Sequence, residues 1–272
     1  MQLFDKVILL LGGRYDFAWH EQKDYLSGVT TDQDDTAFTY RAGLMYQFIP
    51  GLAAYVSYAT SFQPVTFGAR ANGTALEPET GQQIEGGFKV DMFGGRLVST
   101  ISIYHLTRQN VTVDDPNNAG FSIQTGEQRS QGVEVSAQAR IVDGWDLLAF
   151  YAYTDGEITD DTTFPVGNQL PNTPKHSGGL WTTWTFPSGP LKGLGAGAGF
   201  RYVGERPADF SNAVTLPDYV VVDASVFYRR GRLSLDLNFK NITNETYFNG
   251  NGSSFIFPGE PFQVFGRIGW SF

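Results

Sequence analysis

Apolar and polar residues alternate along most of this chain, and this period of two limits its possible folds more than any other feature. The clearest alternating segments lie at residues 40–48, 84–92, 133–141 and 233–239. In the last of them, Leu235 and Leu237 flank Asp236. Such alternation is typical of β-strands with one apolar and one polar face. The sequence therefore predicts an all-β fold.

About 12 strands can be read from this pattern. They are expected near residues 6–20, 36–48, 52–62, 81–92, 95–110, 119–141, 145–156, 174–186, 192–204, 218–229, 232–242 and 261–272. Each is long enough for the roughly 9–11 residues with which a tilted strand crosses a bilayer.

The connections between these strands alternate between short and long. Short turns are expected at 50–51, 93–95, 142–144, 188–190 and 230–231, and long polar stretches at 21–35, 63–80, 111–118, 157–173, 205–217 and 243–260. Outer-membrane barrels have tight turns on the periplasmic side and long loops outside the cell. The alternation therefore favours an antiparallel transmembrane β-barrel, with a soluble sandwich of two sheets as the alternative.

Composition excludes several other classes. The longest aliphatic run, Val7 to Leu11, is far shorter than the roughly 20 residues of a spanning helix. The net charge of -9 argues against a nucleic-acid partner, because nucleic-acid binding calls for a basic surface. With no cysteine in the chain, disulfides, zinc–thiolate sites and thiol nucleophiles are excluded as well.

In a membrane barrel the apolar face meets lipid and the polar face lines the lumen. The ionisable residues expected to line the lumen are Glu85, Lys89, Glu134, Arg140, Asp236 and Lys240. One face of the last strand carries the residues that we assign to membrane assembly, namely Phe262, Val264, Ile268, Trp270 and Phe272. Aromatic rings near strand ends are expected to form interfacial girdles. These rings are Tyr151, Tyr153, Tyr202, Tyr228 and Trp270.

Several longer motifs follow one another in a characteristic order. They are the segments 4–16, 58–64, 76–81, 85–89, 126–134, 170–176, 216–219 and 238–243, and the terminal Phe272. Through these motifs the chain resembles the C-terminal half of the barrel of TonB-dependent outer-membrane receptors, in particular the ferric-siderophore group.

The resemblance implies both an architecture and a function. Family members have a barrel of about 22 strands filled by an N-terminal plug domain, with a TonB-contacting box ahead of it. Residues 1–272 then form the C-terminal portion of such a barrel, with no plug domain. The implied function is TonB-dependent uptake of a ferric siderophore across the outer membrane of a Gram-negative bacterium, with no cofactor bound by the chain itself. The implied partners are outer-membrane lipid, the barrel-assembly machinery and, through the missing plug and box, the TonB complex.

An open half barrel leaves two strand edges in hydrocarbon, where each unpaired backbone group costs several kcal/mol. We therefore expect the sheet to close on itself at about 12 strands, to pair with another chain, or not to insert into the membrane as a stable species. The chain is then a fragment, a truncated gene product or a smaller barrel.

Two other functions are alternatives to a receptor. One is a 12-stranded outer-membrane enzyme of the phospholipase type, for which His176 beside Ser177 is the starting point, and the other is a passive pore. His176 lies in the 170–176 motif, so we expect no catalytic residues. Asp32, Asp34 and Asp35 lack the glycine and the final glutamate of a calcium loop, so we expect no metal site.

Ligand contacts are expected where arginine occurs beside aromatic residues in the outer loops. Ferric chelates are often anionic and carry flat groups, which arginine and aromatic rings bind well. The candidate residues are Arg70, Arg206, Phe210, Tyr247 and Phe248.

Overall fold

The computed structural model describes residues 2–4, 6–23, 30–66, 68–250 and 255–272. Their strands, in chain order, are β1 (Gln2–Phe4), β2 (Val7–Lys23), β3 (Thr30–Ile49), β4 (Leu52–Gln63), β5 (Glu79–Met92), β6 (Leu97–Asp114), β7 (Ser122–Val142), β8 (Trp145–Asp160), β9 (His176–Thr185), β10 (Leu194–Val203), β11 (Arg206–Pro207), β12 (Thr215–Leu216), β13 (Tyr219–Arg230), β14 (Leu233–Lys240), β15 (Phe248–Gly250), β16 (Ile256–Pro258) and β17 (Gln263–Trp270). Within the described ranges no helix is long and apolar enough to cross a membrane.

Thirteen of these strands form one antiparallel sheet, in the order β1 to β10, β13, β14 and β17. Each strand pairs with the next one in this order, so the sheet is a simple meander. β11–β12 and β15–β16 are small separate hairpins inserted into long connections. The prediction of about 12 strands is confirmed. The additional strand, β1, has three residues and pairs only with the start of β2.

Because neighbouring strands are antiparallel, successive connections lie at alternate ends of the sheet, with the two-residue turns at one end and the longest connections at the other. The predicted short turn at 188–190 is longer than expected, because residues 186–193 separate β9 from β10 at the end with the tight turns. The tightest turns are 50–51, 143–144 and 231–232. Gly144 shows why such turns need glycine. Its φ is +91°, and a Cβ atom there would lie 2.2 Å from the Thr185 carbonyl oxygen. We call the two ends of the sheet the turn end and the loop end.

The strand register separates an apolar face from a polar face, as the alternation predicts. Leu235 pairs with Ile268 on the apolar face, whereas Asp236 pairs with Arg267 on the polar face. Following the register from strand to strand places all six residues predicted to line the lumen on the polar face. An ion pair between Arg229 and Asp236, at 2.9 Å, also lies on this face.

Aromatic residues on the apolar face form two girdles. At the turn end, Trp145 pairs with Trp184, and its indole N–H donates to the Thr182 hydroxyl at 2.8 Å. Tyr228 and Trp270 lie at this end as well. Tyr151, Tyr153 and Tyr202 lie toward the loop end. Amphipathic rings at two levels are typical of the two interfaces of a bilayer.

The middle strands are longer than a bilayer requires. β7 has 21 residues, about twice the roughly 9–11 residues of a tilted spanning strand. At the loop end, the side chains on the apolar face of the sheet become polar, whereas between the two girdles the same face is apolar. The Gln82 amide donates to Gln109 at 3.0 Å, and Gln109 donates to Glu127 at 3.0 Å. These hydrogen bonds run across three strands above the outer girdle.

β10 has glycine at alternate positions on its polar face. A Cβ atom at Gly197 or Gly199 would lie within 3.0 Å of the Trp181 ring, and one at Gly195 would lie 2.4 Å from the Phe227 ring. Two aromatic rings therefore cover bare backbone at these positions of β10.

The last strand is shorter than the predicted 261–272. Phe262 precedes β17 because its N–H donates to the Asn244 side chain at 3.0 Å, and Phe272 follows its end. Val264, Ile268 and Trp270 keep the predicted common face. The sheet has two edges. One edge is formed by β1 and by the part of β2 that β1 does not pair with, and the other edge is β17.

Candidate ligand site at the loop end

Three long connections meet at the loop end. They are residues 161–175, 204–218 and 241–262, whose described parts we call the loop cluster. Asn172 bridges all three. Its backbone N–H donates to the Pro207 carbonyl at 2.9 Å, and its side-chain oxygen accepts the Gly250 N–H at 3.0 Å. Its side-chain N–H donates to the Gly250 carbonyl. One asparagine thus pairs with a peptide backbone much as a neighbouring strand does.

A second asparagine repeats this arrangement. The oxygen of Asn212 accepts the Gln169 N–H at 2.9 Å, and its amide donates to the Gln169 carbonyl at 2.9 Å. Asn168 donates to the Phe210 carbonyl at 2.9 Å. Asn172 and Asn212 have φ values of +54° and +56°, a conformation that asparagine tolerates better than most residues. The local sequence therefore suits the loop contacts.

Arg206, Tyr219 and Tyr247 form a stack where the loop cluster meets the start of β13. The guanidinium carbon lies 5.3 Å from the centre of the Tyr219 ring, which lies 4.4 Å from the centre of the Tyr247 ring. Arg206 is only 3% exposed, and both tyrosines are buried. This burial lowers the pKa of the Arg206 guanidinium, because desolvation disfavours its charged form.

A cavity of about 520 Å³ adjoins the stack, and we call it the lumen pocket. Arg201 of β10, Asp223 of β13 and Lys240 of β14 line it from the polar face. Tyr219 and Tyr247 contribute rings to its wall. The remaining lining residues are Val203, Val221, Asn241, Asn249, Pro258, Gly259 and Glu260. The pocket therefore combines two cations, two carboxylates, aromatic rings and amide groups.

The two cations of the lumen pocket are available to a ligand. The Asp223 carboxylate accepts the Asn241 N–H at 2.7 Å. Neither Arg201 nor Lys240 takes part in any ion pair between described residues. An anionic group placed between them would gain charge-assisted hydrogen bonds.

A second cavity, of about 530 Å³, lies at the rim of β9 and β10. Lys175 and Arg206 contribute positive charge to its lining, and Glu205 and Asp218 contribute negative charge. His176 also lines it, and its ring nitrogen is hydrogen-bonded to the Tyr151 hydroxyl at 2.8 Å. The formal charges of this rim cavity balance, as those of the lumen pocket do, but the rim cavity lacks the pair of buried tyrosine rings that line the lumen pocket.

The structure brings some of the predicted ligand residues together and not others. Arg206, Tyr247 and Phe248 meet, because the Arg206 guanidinium donates to the Phe248 carbonyl at 2.6 Å. Phe210 lies elsewhere in the loop cluster, stacked on Phe164 with ring centres 5.5 Å apart. Arg70 belongs to another connection, where it donates to the Gln124 side chain at 2.8 Å.

Sequence reasoning missed Arg201 and Tyr219 as candidates, and it assigned Lys240 only to the lumen wall. A usable signal was present, because all three occupy polar-face positions at the loop ends of their strands. Reading the alternation into the strand residues next to each long connection, on either side of it, would have identified them.

Replacing Asn172 with alanine is expected to loosen the loop cluster. Loss of its two side-chain hydrogen bonds to Gly250, each worth about 1 kcal/mol, should speed amide exchange in the 241–250 segment about 30-fold. Hydrogen exchange measured by mass spectrometry tests this. The control is Asn117→Ala in an exposed turn, and equal exchange in both variants would contradict the proposed bridging role.

The sheet and its faces define a class of protein. A single antiparallel meander with an apolar face between two aromatic girdles, a charged opposite face and long loops at one end is an outer-membrane β-barrel wall. Residues 1–242 match the family model described as TonB dependent receptor-like, beta-barrel. The chain belongs to this family, and it is a protein of the Gram-negative outer membrane.

Similar proteins include two curated receptors and one solved structure. The chain is 39% identical over 232 residues to the ferrichrome outer membrane transporter/phage receptor of Escherichia coli K12, covering 85% of this chain and 31% of that protein. It is 34% identical over 276 residues to the ferrioxamine B receptor of Salmonella typhimurium LT2, and this match covers 99% of this chain and 39% of that protein. The siderophore receptor PiuA of Acinetobacter baumannii superposes with a TM-score of 0.87 at 28% identity, covering 99% of this chain and 41% of that one. The chain thus spans less than half the length of each.

Proposed function

We propose that this chain forms part of the barrel of an outer-membrane transporter that takes up a ferric siderophore, with energy supplied through TonB. Contact with TonB would require a plug domain and TonB box contributed from outside residues 1–272. The curated relatives named above, a ferrichrome transporter and a ferrioxamine B receptor, support uptake of an iron chelate.

The lumen pocket is the observation that carries this proposal. Arg201 and Lys240 offer positive charge beside the rings of Tyr219 and Tyr247. Ferric chelates with catecholate groups are anionic and present flat aromatic rings, so they suit cations next to aromatic faces. The pocket opens on the polar face, which is the face that lines the lumen of a barrel.

The contacts of His176 support transport over an enzyme of the phospholipase type. Its ring lies between two girdle residues, with ring centres 6.2 Å from Tyr151 and 5.3 Å from Tyr153. Together with its hydrogen bond to the Tyr151 hydroxyl, this suits a structural residue of the outer interface.

The test is chelate binding to outer-membrane vesicles from cells that produce the protein. We expect a variant carrying both Arg201→Gln and Lys240→Gln to bind an anionic ferric catecholate at least about tenfold more weakly, because it loses two charge-assisted contacts. Tryptophan fluorescence quenching measures the affinity.

The matched control carries Lys192→Gln and Arg232→Gln, which remove the same charge at the turn end. It should bind like the parent protein. Equal affinities of the two double variants would refute the lumen pocket as the ligand site, and a parent protein that binds no ferric chelate would refute siderophore uptake. Free diffusion of small solutes through liposomes without chelate binding would favour a passive pore.

A further inference from the structure

Arg206 is a buried cation without a carboxylate partner. It is 3% exposed, and none of the ion pairs between described residues includes it. Its guanidinium donates to the Phe248 carbonyl at 2.6 Å and to the Asn249 side-chain oxygen at 3.2 Å. Buried charges are normally paired, so neutral acceptors alone are an unusual environment for an arginine.

The aromatic stack provides the remaining stabilisation. The guanidinium lies over the Tyr219 ring, whose face quadrupole attracts a cation. Tyr219 in turn packs on Tyr247. Arg206 does not line the lumen pocket itself, whereas both tyrosines do. The cation therefore lies at one end of a stack whose other members form the wall of the ligand site.

Tyr247 also contacts the backbone of residues 259–260. Its hydroxyl accepts the Glu260 N–H at 3.2 Å, and a Cβ atom at Gly259 would lie 2.2 Å from its ring. The Tyr247 ring is thus held by Tyr219 and by the 259–260 backbone. Removing Arg206 would leave Tyr219, one of these two supports, without the cation over its ring.

We propose that Arg206 is a positioning residue for the lumen pocket. It fixes the orientation of Tyr219, and through it that of Tyr247, without touching the ligand. This inference rests on the proposed function, because it assigns a role at the same ligand site. It also differs from the sequence-based expectation that Arg206 binds the chelate directly.

The chemistry of the stack specifies arginine. A guanidinium is flat, so it can lie over a ring while its N–H groups reach two acceptors in its own plane. The lysine ammonium is a point charge that cannot cover a ring in this way. Arg206→Lys should therefore behave like an uncharged substitution, although it keeps the positive charge.

The experiment measures the affinity of the outer-membrane protein for two probes, an anionic ferric catecholate and an uncharged ferric hydroxamate, in vesicles. We expect Arg206→Met and Arg206→Lys each to weaken binding of both probes by a similar factor of about ten. In a Tyr247→Ala background, Arg206→Met should change affinity by less than about twofold, because the ring that it positions is gone.

Direct contact between Arg206 and the ligand predicts the opposite pattern. Arg206→Lys would then retain binding of the catecholate, Arg206→Met would spare the hydroxamate, and the effects of Arg206→Met and Tyr247→Ala would multiply. Any of these results would overturn the proposal.

Assembly is checked by the amount of protein recovered in outer-membrane vesicles. If Arg206→Met does not assemble, Arg206→Gln replaces it, because glutamine keeps an N–H donor for the Phe248 carbonyl. Failure of both variants to assemble would assign Arg206 to folding and overturn the positioning role. If the parent protein binds neither probe, the proposed function is refuted, and this inference is refuted with it.

Discussion

Leu237→Arg is expected to lower the free energy of unfolding by about 2–4 kcal/mol, the cost of a cationic side chain on the lipid face near the bilayer centre. Leu237 lies on the apolar face of β14 between the two aromatic girdles, and its cross-strand neighbours are Val226 and Gly266. An arginine there would place a guanidinium among acyl chains. Urea titration of the protein refolded in lipid vesicles, followed by tryptophan fluorescence, measures the loss.

Asn238→Arg is the matched control on the same strand. Asn238 lies on the polar face, where its cross-strand neighbours are Ser225 and Phe265. A charge added there stays in the lumen, so we expect a cost below about 1 kcal/mol. A larger loss from Asn238→Arg than from Leu237→Arg would mean that the apolar face is packed inside the protein.

Asn241→Ala is expected to cost about 3–4 kcal/mol. Asn241 is 2% exposed, and its amide donates to the carbonyls of Glu245 and Glu260 at 2.8 and 3.0 Å. Its side-chain oxygen accepts the Glu245 N–H at 2.8 Å. Loss of three hydrogen bonds worth about 1 kcal/mol each adds to the strain of alanine at a φ of +49°.

The same urea titration measures this loss, with Thr246→Ala as an exposed control in the same loop. The control should fall within about 0.5 kcal/mol of the parent protein, as is usual for exposed positions. If Asn241→Ala matched the control, the buried amide would not be what fixes the exit of the chain from β14.

Most of the sheet could be predicted from the sequence, because each strand has its own period of two. The alternation around Asp236 placed both faces of β14 correctly. β1 was missed because three residues are too few to show a period. The start of the last strand was misplaced because Phe262 satisfies its N–H with Asn244, a contact that no local pattern contains.

The candidate site could be predicted only in part, because its contacts join distant residues. An arginine near aromatic residues drew attention to Arg206, but its burial depends on Phe248 and Asn249, which lie about 40 residues further along the chain. The bridge from Asn172 to Gly250 spans 78 positions. Such pairings follow from the meander, which brings three loops to one end, and not from any segment alone.

The excess length of the middle strands determines where a solute first meets the protein. Roughly ten residues of β7 beyond those needed for the bilayer, at about 3.3 Å each and inclined by about 45°, raise the wall by roughly 20 Å. Gln82, Gln109 and Glu127 keep this raised part bonded where no lipid supports it. The entrance therefore stands clear of the headgroup layer, and a bulky hydrophilic molecule can reach it from the external medium without contacting the membrane surface.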